Sequence, residues 1–408
     1  MGKMQKRGGP ASRRQATASR GGWKKVESLL PKGLHFLSGN EACAEGALVA
    51  GCKFFAGYPI TPASEIGETL AKRILEVGGV FKQMEDEISA IGAVLGASWA
   101  GEKTMTATSG PGFSLMIENI GFADMTEMPC VIINVQRGGP STGMPTKPSS
   151  SDIMMARYGC HGGTPHIALC PSDVQECYDL TIKAFNLSEK YRSPVIVLSD
   201  ASLAHLREPL KIKSKVKIFD RIYEKGKQHF GPTKDFSAPS MPTPTDGEFL
   251  MTTGSAHNEW GVRNTFEPKG YEKLIWHLEK KISLSKELTD TEEFMTKDAS
   301  QIVIAYGFTS RMAREAVANA RLEGKKIGLI RLKIVWPFPE TIIKKYEEQC
   351  QEFIVPEMNQ GQLHNVVNQC VTDKTKTAVT SLAQPNGELI NSEQIFEYLT
   401  KKTWGTRK

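Results

Sequence analysis

The sequence lacks the features of a membrane or secreted protein. No apolar run approaches the ~18 residues of a membrane-spanning helix, and no apolar segment follows the basic start as it does in a signal peptide. The 8 cysteines are scattered, without a CxxC pair or a ferredoxin-type run. We therefore expect a cytoplasmic protein that contacts no membrane, keeps its thiols reduced, and holds neither a zinc ribbon nor an iron–sulfur cluster by itself.

Several cofactor and nucleotide motifs are also missing. No GxGxxG run follows a predicted strand, HExxH is absent, and no two histidines are spaced four residues apart. Residues 138–143 have the glycine spacing of a P-loop, but Met144 stands where that motif requires lysine. A dinucleotide-binding, phosphoryl-transfer or zinc-hydrolase function is therefore not supported, and we predict no metal ligands in this chain.

Positive charge is concentrated at the start of the chain. Residues 1–25 contain eight basic residues and no acid, whereas the 408-residue chain has a net charge of +6, which leaves the rest slightly acidic. A slightly acidic remainder of the chain does not favour nucleic-acid binding. The basic stretch is typical either of a disordered, solvated extension or of an organelle transit segment, and we expect the extension.

The remainder alternates between strand-like and helix-like segments. β-Branched runs such as CVIINVQ (130–136) alternate with helical patterns, which predicts a parallel sheet covered on both faces. The alternation stops in a proline-rich stretch and resumes at IVIAYG (302–307). We therefore predict a doubly wound parallel sheet followed by a smaller α/β domain. The expected regions are a basic, disordered tail at 1–33, a first domain at 34–210, a connector at 211–298 and a C-terminal domain at 299–408.

Ligands of open α/β sheets bind at the carboxyl ends of the strands, where four loops have unusual sequences. The first is GYPITPASE (57–65). Its prolines stiffen the loop and favour Thr61 as the N-cap of a helix that begins at Pro62. Thr61 either serves only as that cap or directs its hydroxyl to an anion above the helix N-terminus.

The next two loops are an acidic turn and a glycine turn, and each leads into a helix. In QMEDEIS (83–89), the acids either complement the helix dipole or include a partly desolvated carboxylate that shares a proton with a ring nitrogen. In TATSGPGFS (106–114), the Ser-Gly-Pro-Gly run forms either an ordinary turn or a backbone nest close to a bound group.

The fourth loop, VQRGGPSTGMPTKPSSSD (135–152), follows a buried strand and has the composition of a mobile lid. Arg137 stands at the end of that strand. It is either a solvated charge or a clamp for a substrate carboxylate.

In this order, GYPITPASE, MEDEISAIGAVLGASWAG, TATSGPGFSLMIENIG and NVQRGGPSTG resemble the alpha subunit of 2-oxoacid:ferredoxin oxidoreductases, most closely the 2-oxoglutarate type. The resemblance covers 39–208 and continues more weakly through TTGSAHNEWG, IRLKIVWPFP and VPEMNQGQL. It implies that the first domain is a pyrimidine-type thiamine diphosphate fold. It also implies that the C-terminal domain is similar to the last domain of transketolase.

The resemblance also implies a set of site residues. Thr61 contacts a 2-oxo acid, Arg137 clamps its carboxylate, and Glu87 bonds the aminopyrimidine ring of thiamine diphosphate. Glu85, two residues earlier, is the alternative register for this glutamate. The cofactor-binding residues expected beside Glu87 are Tyr58, Pro59, Ile60, Ser109, Gly110 and Gly112.

The implied reaction is the reversible oxidative decarboxylation of 2-oxoglutarate with coenzyme A to succinyl-CoA and CO₂, with electrons passed to ferredoxin. Pyruvate and branched-chain 2-oxo acids are alternative substrates. A non-catalytic protein that uses its basic tail for binding is a distant alternative. Because the chain lacks a GDG…N motif and a cluster-binding cysteine set, we expect Mg²⁺ and a [4Fe-4S] cluster on a beta subunit that shares the thiamine diphosphate. Gamma and delta subunits are further candidate partners.

Overall fold

The computed structural model describes residues 19–161, 163–402 and 404. The strands are β1 (Ser19–Glu27), β2 (Gly33–Ser38), β3 (Cys52–Gly57), β4 (Val80–Gln83), β5 (Lys103–Thr108), β6 (Cys130–Gly138), β7 (Met144–Pro148), β8 (Ile167–Leu169), β9 (Pro194–Asp200), β10 (Arg207–Ile212), β11 (Lys215–Glu224), β12 (Thr291–Phe294), β13 (Gln301–Tyr306), β14 (Ile327–Leu332), β15 (Ile334–Trp336), β16 (Glu352–Glu357) and β17 (Ala378–Ala383). The helices are α1 (Gly39–Val49), α2 (Ser64–Arg73), α3 (Glu87–Trp99), α4 (Gly110–Met125), α5 (Ile153–Tyr158), α6 (Val174–Tyr191), α7 (Ala201–His205), α8 (Pro268–Ser283), α9 (Thr309–Leu322), α10 (Glu340–Glu347), α11 (Gln362–Cys370) and α12 (Ser392–Lys401).

The larger sheet has the strand order β15-β8-β9-β6-β5-β3-β4, and β7 folds back onto the end of β6. The strands from β8 to β4 are all parallel. β5 and β9 are buried along their whole length and β6 along nearly all of it. β6 and β9 have the largely apolar, β-branched sequences that burial on both faces predicts, whereas β5 is equally buried with a lysine and three threonines.

The smaller sheet has the order β12-β14-β13-β16-β17 and is parallel except for β12. The two sheets are joined, because β15 leaves the C-terminal region and pairs antiparallel with β8. Trp336 of β15 is buried and its Nε1 donates to Ile153 O at 2.8 Å. This junction brings the C-terminal region against the loops of the larger sheet. Within the described ranges, no helix combines the length and apolar character needed to cross a bilayer.

The prediction that the whole basic tail is disordered is wrong for Ser19–Glu27. This segment is β1, which pairs antiparallel with β11. Arg20 forms an ion pair with Asp246 at 2.5 Å, and Trp23 lies edge-on to Phe219 with ring centroids 5.2 Å apart. The strand depends on a partner almost 200 residues away, which local sequence does not reveal. The rest of the basic stretch, residues 1–18, lies outside the described residues.

Candidate active site

The four predicted loops meet at one edge of the larger sheet. β3, β5 and β6 are adjacent and parallel, so the loops that follow them lie side by side. The N-terminus of α3 reaches the same place. A side chain added to Gly112 would overlap both Glu87 Oε1 and Thr108 Oγ1, so these two side chains converge on the glycine turn. Gly110, at positive φ, lies beside the Arg137 side chain.

Arg137 is buried at the end of β6 and is only 6% exposed. Its Nη1 donates to Thr61 O at 2.6 Å, while its Nε has no hydrogen-bond partner among the described residues. Burial lowers the pKa of Arg137, and the carboxylates of Asp152 and Glu87 oppose that shift. The guanidinium is therefore a desolvated cation with donor capacity left for a ligand.

The structure brings Thr61 to Arg137, but the prediction that Thr61 caps a helix starting at Pro62 is wrong. α2 begins at Ser64, and Ala63 occupies the N-cap position without a side-chain hydrogen bond. The reason is a turn in which Ala63 N donates to Ile60 O at 2.8 Å, which delays the helix. Thr61 remains exposed on this turn, and its carbonyl, not its hydroxyl, contacts Arg137.

The acidic turn separates its three acids into different environments. Glu85 and Asp86 are exposed, whereas Glu87 is 5% exposed. Asp86 is the N-cap of α3 and accepts from Ser89 N at 2.7 Å, so Glu87 is not needed for capping. Burial raises the pKa of Glu87, the charge of Asp86 raises it further, and Arg137 partly offsets both. Glu87 is therefore the acid in this turn whose surroundings favour a bound proton.

The edge also offers space and unused polar groups. Thr108 Oγ1 and Ser109 Oγ are buried without a hydrogen-bond partner in the described part of the chain. A cavity of about 320 Å³ opens beside Tyr58 and Pro59, but Thr108, Ser109, Glu87 and Arg137 are not among its lining residues. Ile60 is partly buried, with its side chain against the core. A larger cavity of about 800 Å³, lined by residues between 293 and 349, includes none of the predicted site residues.

Sequence reasoning missed Asp152 and Asn134. Asn134 Nδ2 donates to Asp152 Oδ2 at 2.9 Å, and Asp152 N donates to Gln136 Oε1 at 3.1 Å. One signal was present, because an amide in the middle of the buried strand CVIINVQ must find a polar partner. The expected mobile lid is also different in the structure, since Met144–Pro148 is a strand paired with the end of β6.

One buried cluster away from this edge has metal-ligand chemistry. Donor atoms of Asp124, Cys160 and His166 lie within 4.8 Å of one another. They are already engaged: His166 Nε2 contacts Asp124 Oδ2 at 2.7 Å, its Nδ1 contacts Ala156 O at 2.8 Å, and Cys160 Sγ donates to Ile117 O at 3.0 Å. The cluster is a buried ion pair with a neighbouring thiol.

The fold and site define a class of protein. A glycine turn, a buried carboxyl and an arginine at the carboxyl edge of a parallel sheet are typical of α/β cofactor enzymes. The family model "Pyruvate flavodoxin/ferredoxin oxidoreductase, thiamine diP-bdg" matches residues 45–275, and "Pyruvate:ferredoxin oxidoreductase core domain II" matches residues 299–395. The chain belongs to the pyruvate flavodoxin/ferredoxin oxidoreductase family, whose first domain binds thiamine diphosphate.

Relatives within this family are similar over almost the whole chain. The 2-oxoglutarate synthase subunit KorA of Methanothermobacter marburgensis is 48% identical over 371 residues, which are 89% of this chain and 97% of the relative. The ketoisovalerate oxidoreductase subunit VorB of the same organism is 38% identical over 328 residues, covering 80% of this chain and 87% of the relative.

Solved structures agree with this assignment. The 2-oxoglutarate:ferredoxin oxidoreductase of Magnetococcus marinus, with 2-oxoglutarate, coenzyme A and succinyl-CoA bound, has a TM-score of 0.82 at 35% identity and covers 91% of this chain and 66% of that chain. A split-gene transketolase, at 14% identity and a TM-score of 0.52, covers 85% of this chain and 89% of that chain and is similar in fold alone. The family and the fold class predicted from the sequence are confirmed.

Proposed function

We propose that this chain is the alpha subunit of a 2-oxoglutarate:ferredoxin oxidoreductase. The enzyme decarboxylates 2-oxoglutarate, transfers the succinyl group to coenzyme A, and passes two electrons to ferredoxin. The observation that supports this most strongly is the buried Glu87 beside the Arg137–Thr61 contact at the carboxyl edge of the sheet. It occurs in a chain that is 48% identical to a 2-oxoglutarate synthase subunit.

The residues at this edge fit thiamine diphosphate. When bound, this cofactor supplies the electron sink that decarboxylation of a 2-oxo acid requires. Glu87 would hold the aminopyrimidine ring through the proton that its raised pKa favours. The unpartnered hydroxyls of Thr108 and Ser109 offer hydrogen bonds. The other residues proposed to line the cofactor are Tyr58, Pro59, Ile60, Gly110 and Gly112.

Arg137 and Thr61 would hold the 2-oxo acid. The buried guanidinium donates charge-assisted bonds to the substrate carboxylate, and such bonds are stronger than neutral ones. Thr61, whose carbonyl contacts this guanidinium, is exposed, and its hydroxyl would orient the 2-oxo group. Holding the reacting carbon in this way lowers the barrier by several kcal/mol.

The chain needs partners for the complete reaction. A beta subunit would provide Mg²⁺, the diphosphate site and a [4Fe-4S] cluster, because this sequence has neither a GDG…N motif nor a cluster-binding cysteine set. Gamma and delta subunits remain further candidates. Ferredoxin, as electron acceptor, and coenzyme A, as acyl acceptor, are the other proposed partners.

The alternatives have less support. Branched-chain 2-oxo acids correspond to the VorB relative, which at 38% is less similar than the KorA relative at 48%. A binding role for the basic tail also has less support, because Arg20 and Lys24 already form ion pairs with Asp246 and Asp220 of the same chain.

A steady-state assay of the complex tests the proposal. The chain is co-purified with its partner subunits and supplied with coenzyme A, a viologen acceptor and, in turn, 2-oxoglutarate, pyruvate and 2-oxoisovalerate. We expect the highest kcat/KM with 2-oxoglutarate. Preferential turnover of another acid would overturn the substrate, and no turnover of any acid would overturn the function.

A further inference from the structure

The side chain of Asp152 does not cap the helix that it precedes. It stands at the N-cap of α5 yet makes no capping hydrogen bond. Its Oδ2 instead accepts from Asn134 Nδ2 at 2.9 Å, and its main-chain N donates to Gln136 Oε1 at 3.1 Å. Both partners lie on β6, where the residue after Gln136 is the buried Arg137, so Asp152 ties the start of α5 to the strand end that carries the arginine.

The backbone around Asp152 is held by the C-terminal domain. Gln362 Nε2 donates to Ser151 O at 2.8 Å, and Gln362 Oε1 accepts from Met154 N at 3.2 Å. One amide side chain therefore bonds the main chain on both sides of Asp152. It fixes both the position and the direction of the start of α5.

A second side chain extends this attachment. Asn359 is fully buried, and its Nδ2 donates to Ser150 O at 2.9 Å. Its Oδ1 accepts from the main chain of Gly361 and Gln362 at 2.8 and 3.0 Å. These bonds within the turn hold the Asn359 side chain in the conformation that bonds Ser150. The 150–154 segment therefore packs against a rigid support.

We propose that the 357–362 turn of the C-terminal domain is a positioning element of the active site. It holds the 150–154 segment so that Asp152, through its bonds to Asn134 and Gln136, fixes the end of β6 from which Arg137 reaches the 2-oxo acid. Gln362 and Asn359 are positioning residues that act through Asp152. The inference rests on the proposed function, because it assumes that Arg137 binds the substrate carboxylate.

Gln362 variants in the purified complex test this arrangement. Gln362→Met keeps the side-chain volume and removes both hydrogen bonds. We expect the KM for the 2-oxo acid to rise about tenfold, equivalent to ~1.4 kcal/mol, with a smaller change in kcat. Gln362→Glu keeps the acceptor for Met154 N but loses the donor to Ser151 O. Its KM should lie between those of the wild type and Gln362→Met.

Gln349→Met is the matched control. Gln349 Nε2 also donates to main-chain carbonyls, those of Thr296 and Ala299, but Gln349 has no hydrogen bond to 150–154 among the described residues. Its KM should equal that of the wild type. Equal effects of the Gln349 and Gln362 changes would indicate general destabilisation and overturn the inference.

A double-mutant cycle separates positioning from a structural role. If Gln362 acts through Asp152, then Gln362→Met should have little further effect on KM in an Asp152→Asn background, because coupled residues are non-additive. A full tenfold effect in that background would contradict the proposal.

Hydrogen exchange gives a readout that does not depend on activity. Exchange of the amides of 151–154 in the complex should be faster in Gln362→Met than in the wild type and unchanged in Gln349→Met. Unchanged exchange in Gln362→Met overturns the inference whatever the activity. A wild-type complex that oxidises no 2-oxo acid overturns the proposed function instead.

Discussion

Two buried glutamates occupy opposite environments in this molecule. Glu127, with 0% exposure, follows α4 and is surrounded by donors: Lys281 Nζ at 2.7 Å, His277 Nε2 at 3.2 Å and Gly231 N at 2.6 Å. Glu87, at the start of α3, is nearly as buried, but the described residues provide it with no ion-pair partner. One carboxylate joins the connector to the first domain, and the other faces the candidate site.

The pKa directions show what this difference does. Burial alone would raise the pKa of Glu127, but Lys281, His277 and Arg192 together hold it well below its usual value. Burial raises the pKa of Glu87, and no contacting cation reverses that shift. A buried acid whose partners belong to the chain is costly to remove, because its cations would be left unpaired, whereas one without them is available to a ligand.

Removing Glu127 should have the largest effect on stability. Glu127→Ala leaves Lys281 as a buried cation without its counter-ion, so we expect the free energy of unfolding to fall by about 3–5 kcal/mol. Urea denaturation measures this. Glu118→Ala, an exposed glutamate on α4, should change stability by less than ~0.5 kcal/mol. Equal losses in the two variants would remove the contrast between partnered and surface acids.

Glu87→Gln should separate activity from stability. We expect kcat to fall at least 100-fold, equivalent to ~2.7 kcal/mol of barrier, because the amide cannot exchange a proton with the cofactor ring. Denaturation should show no loss of stability, since no cation loses a partner. Glu85→Gln is the control and should remain active. An inactive Glu85→Gln with an active Glu87→Gln would reverse the assignment.

Arg137→Ala should affect substrate binding more than cofactor binding. Loss of a charge-assisted hydrogen bond of ~2 kcal/mol predicts a rise in KM of about 30-fold. Thiamine diphosphate affinity, measured by titration of the apo complex, should be unchanged. Arg137→Lys keeps the charge but not the planar fork, and its KM should be intermediate. Unchanged kinetics in Arg137→Ala would remove this residue from the substrate site.

The smallest expected effect is a difference in pH dependence. Because the pKa of Glu87 is raised on folding, its ionisation disfavours the folded state, so wild-type stability should fall relative to Glu87→Gln as pH rises above 4.5. Glu127 has the opposite sign: its contribution is present above 4.5 and is lost as pH falls below that value. Denaturation curves of the wild type, Glu87→Gln and Glu127→Gln, measured above pH 4.5 for Glu87 and from pH 4.5 downward for Glu127, compare the two, and slopes of the same sign would refute the contrast.

Much of the larger sheet could be predicted from local sequence. The segments now seen as β6 and β9 are short apolar runs between turn residues, which is typical of strands buried on both faces, whereas β5 is equally buried with a lysine and three threonines. Arg137 and the glycine turn were found because they directly follow such strands. Glu87 was named through the resemblance, and its burial beside Gly112 needed the structure.

Other features could not be read from neighbouring residues. Thr61 lost its capping role to a turn that local preferences did not reveal. Ser19–Glu27 became a strand only through pairing with Lys215–Glu224. Asp152 is held at the end of β6 by Gln362, which bonds the main chain on either side of it and lies more than 200 residues further along the chain.

The order of apolar runs, glycines and prolines by itself determined an α/β chain with functional loops at the ends of its strands, because each of those signals acts over a few residues. Which acid is buried, which has a partner and which residue orients the arginine were decided only in the tertiary structure. Desolvation and charge pairing depend on distances in space, and those distances are set by residues from distant parts of the chain.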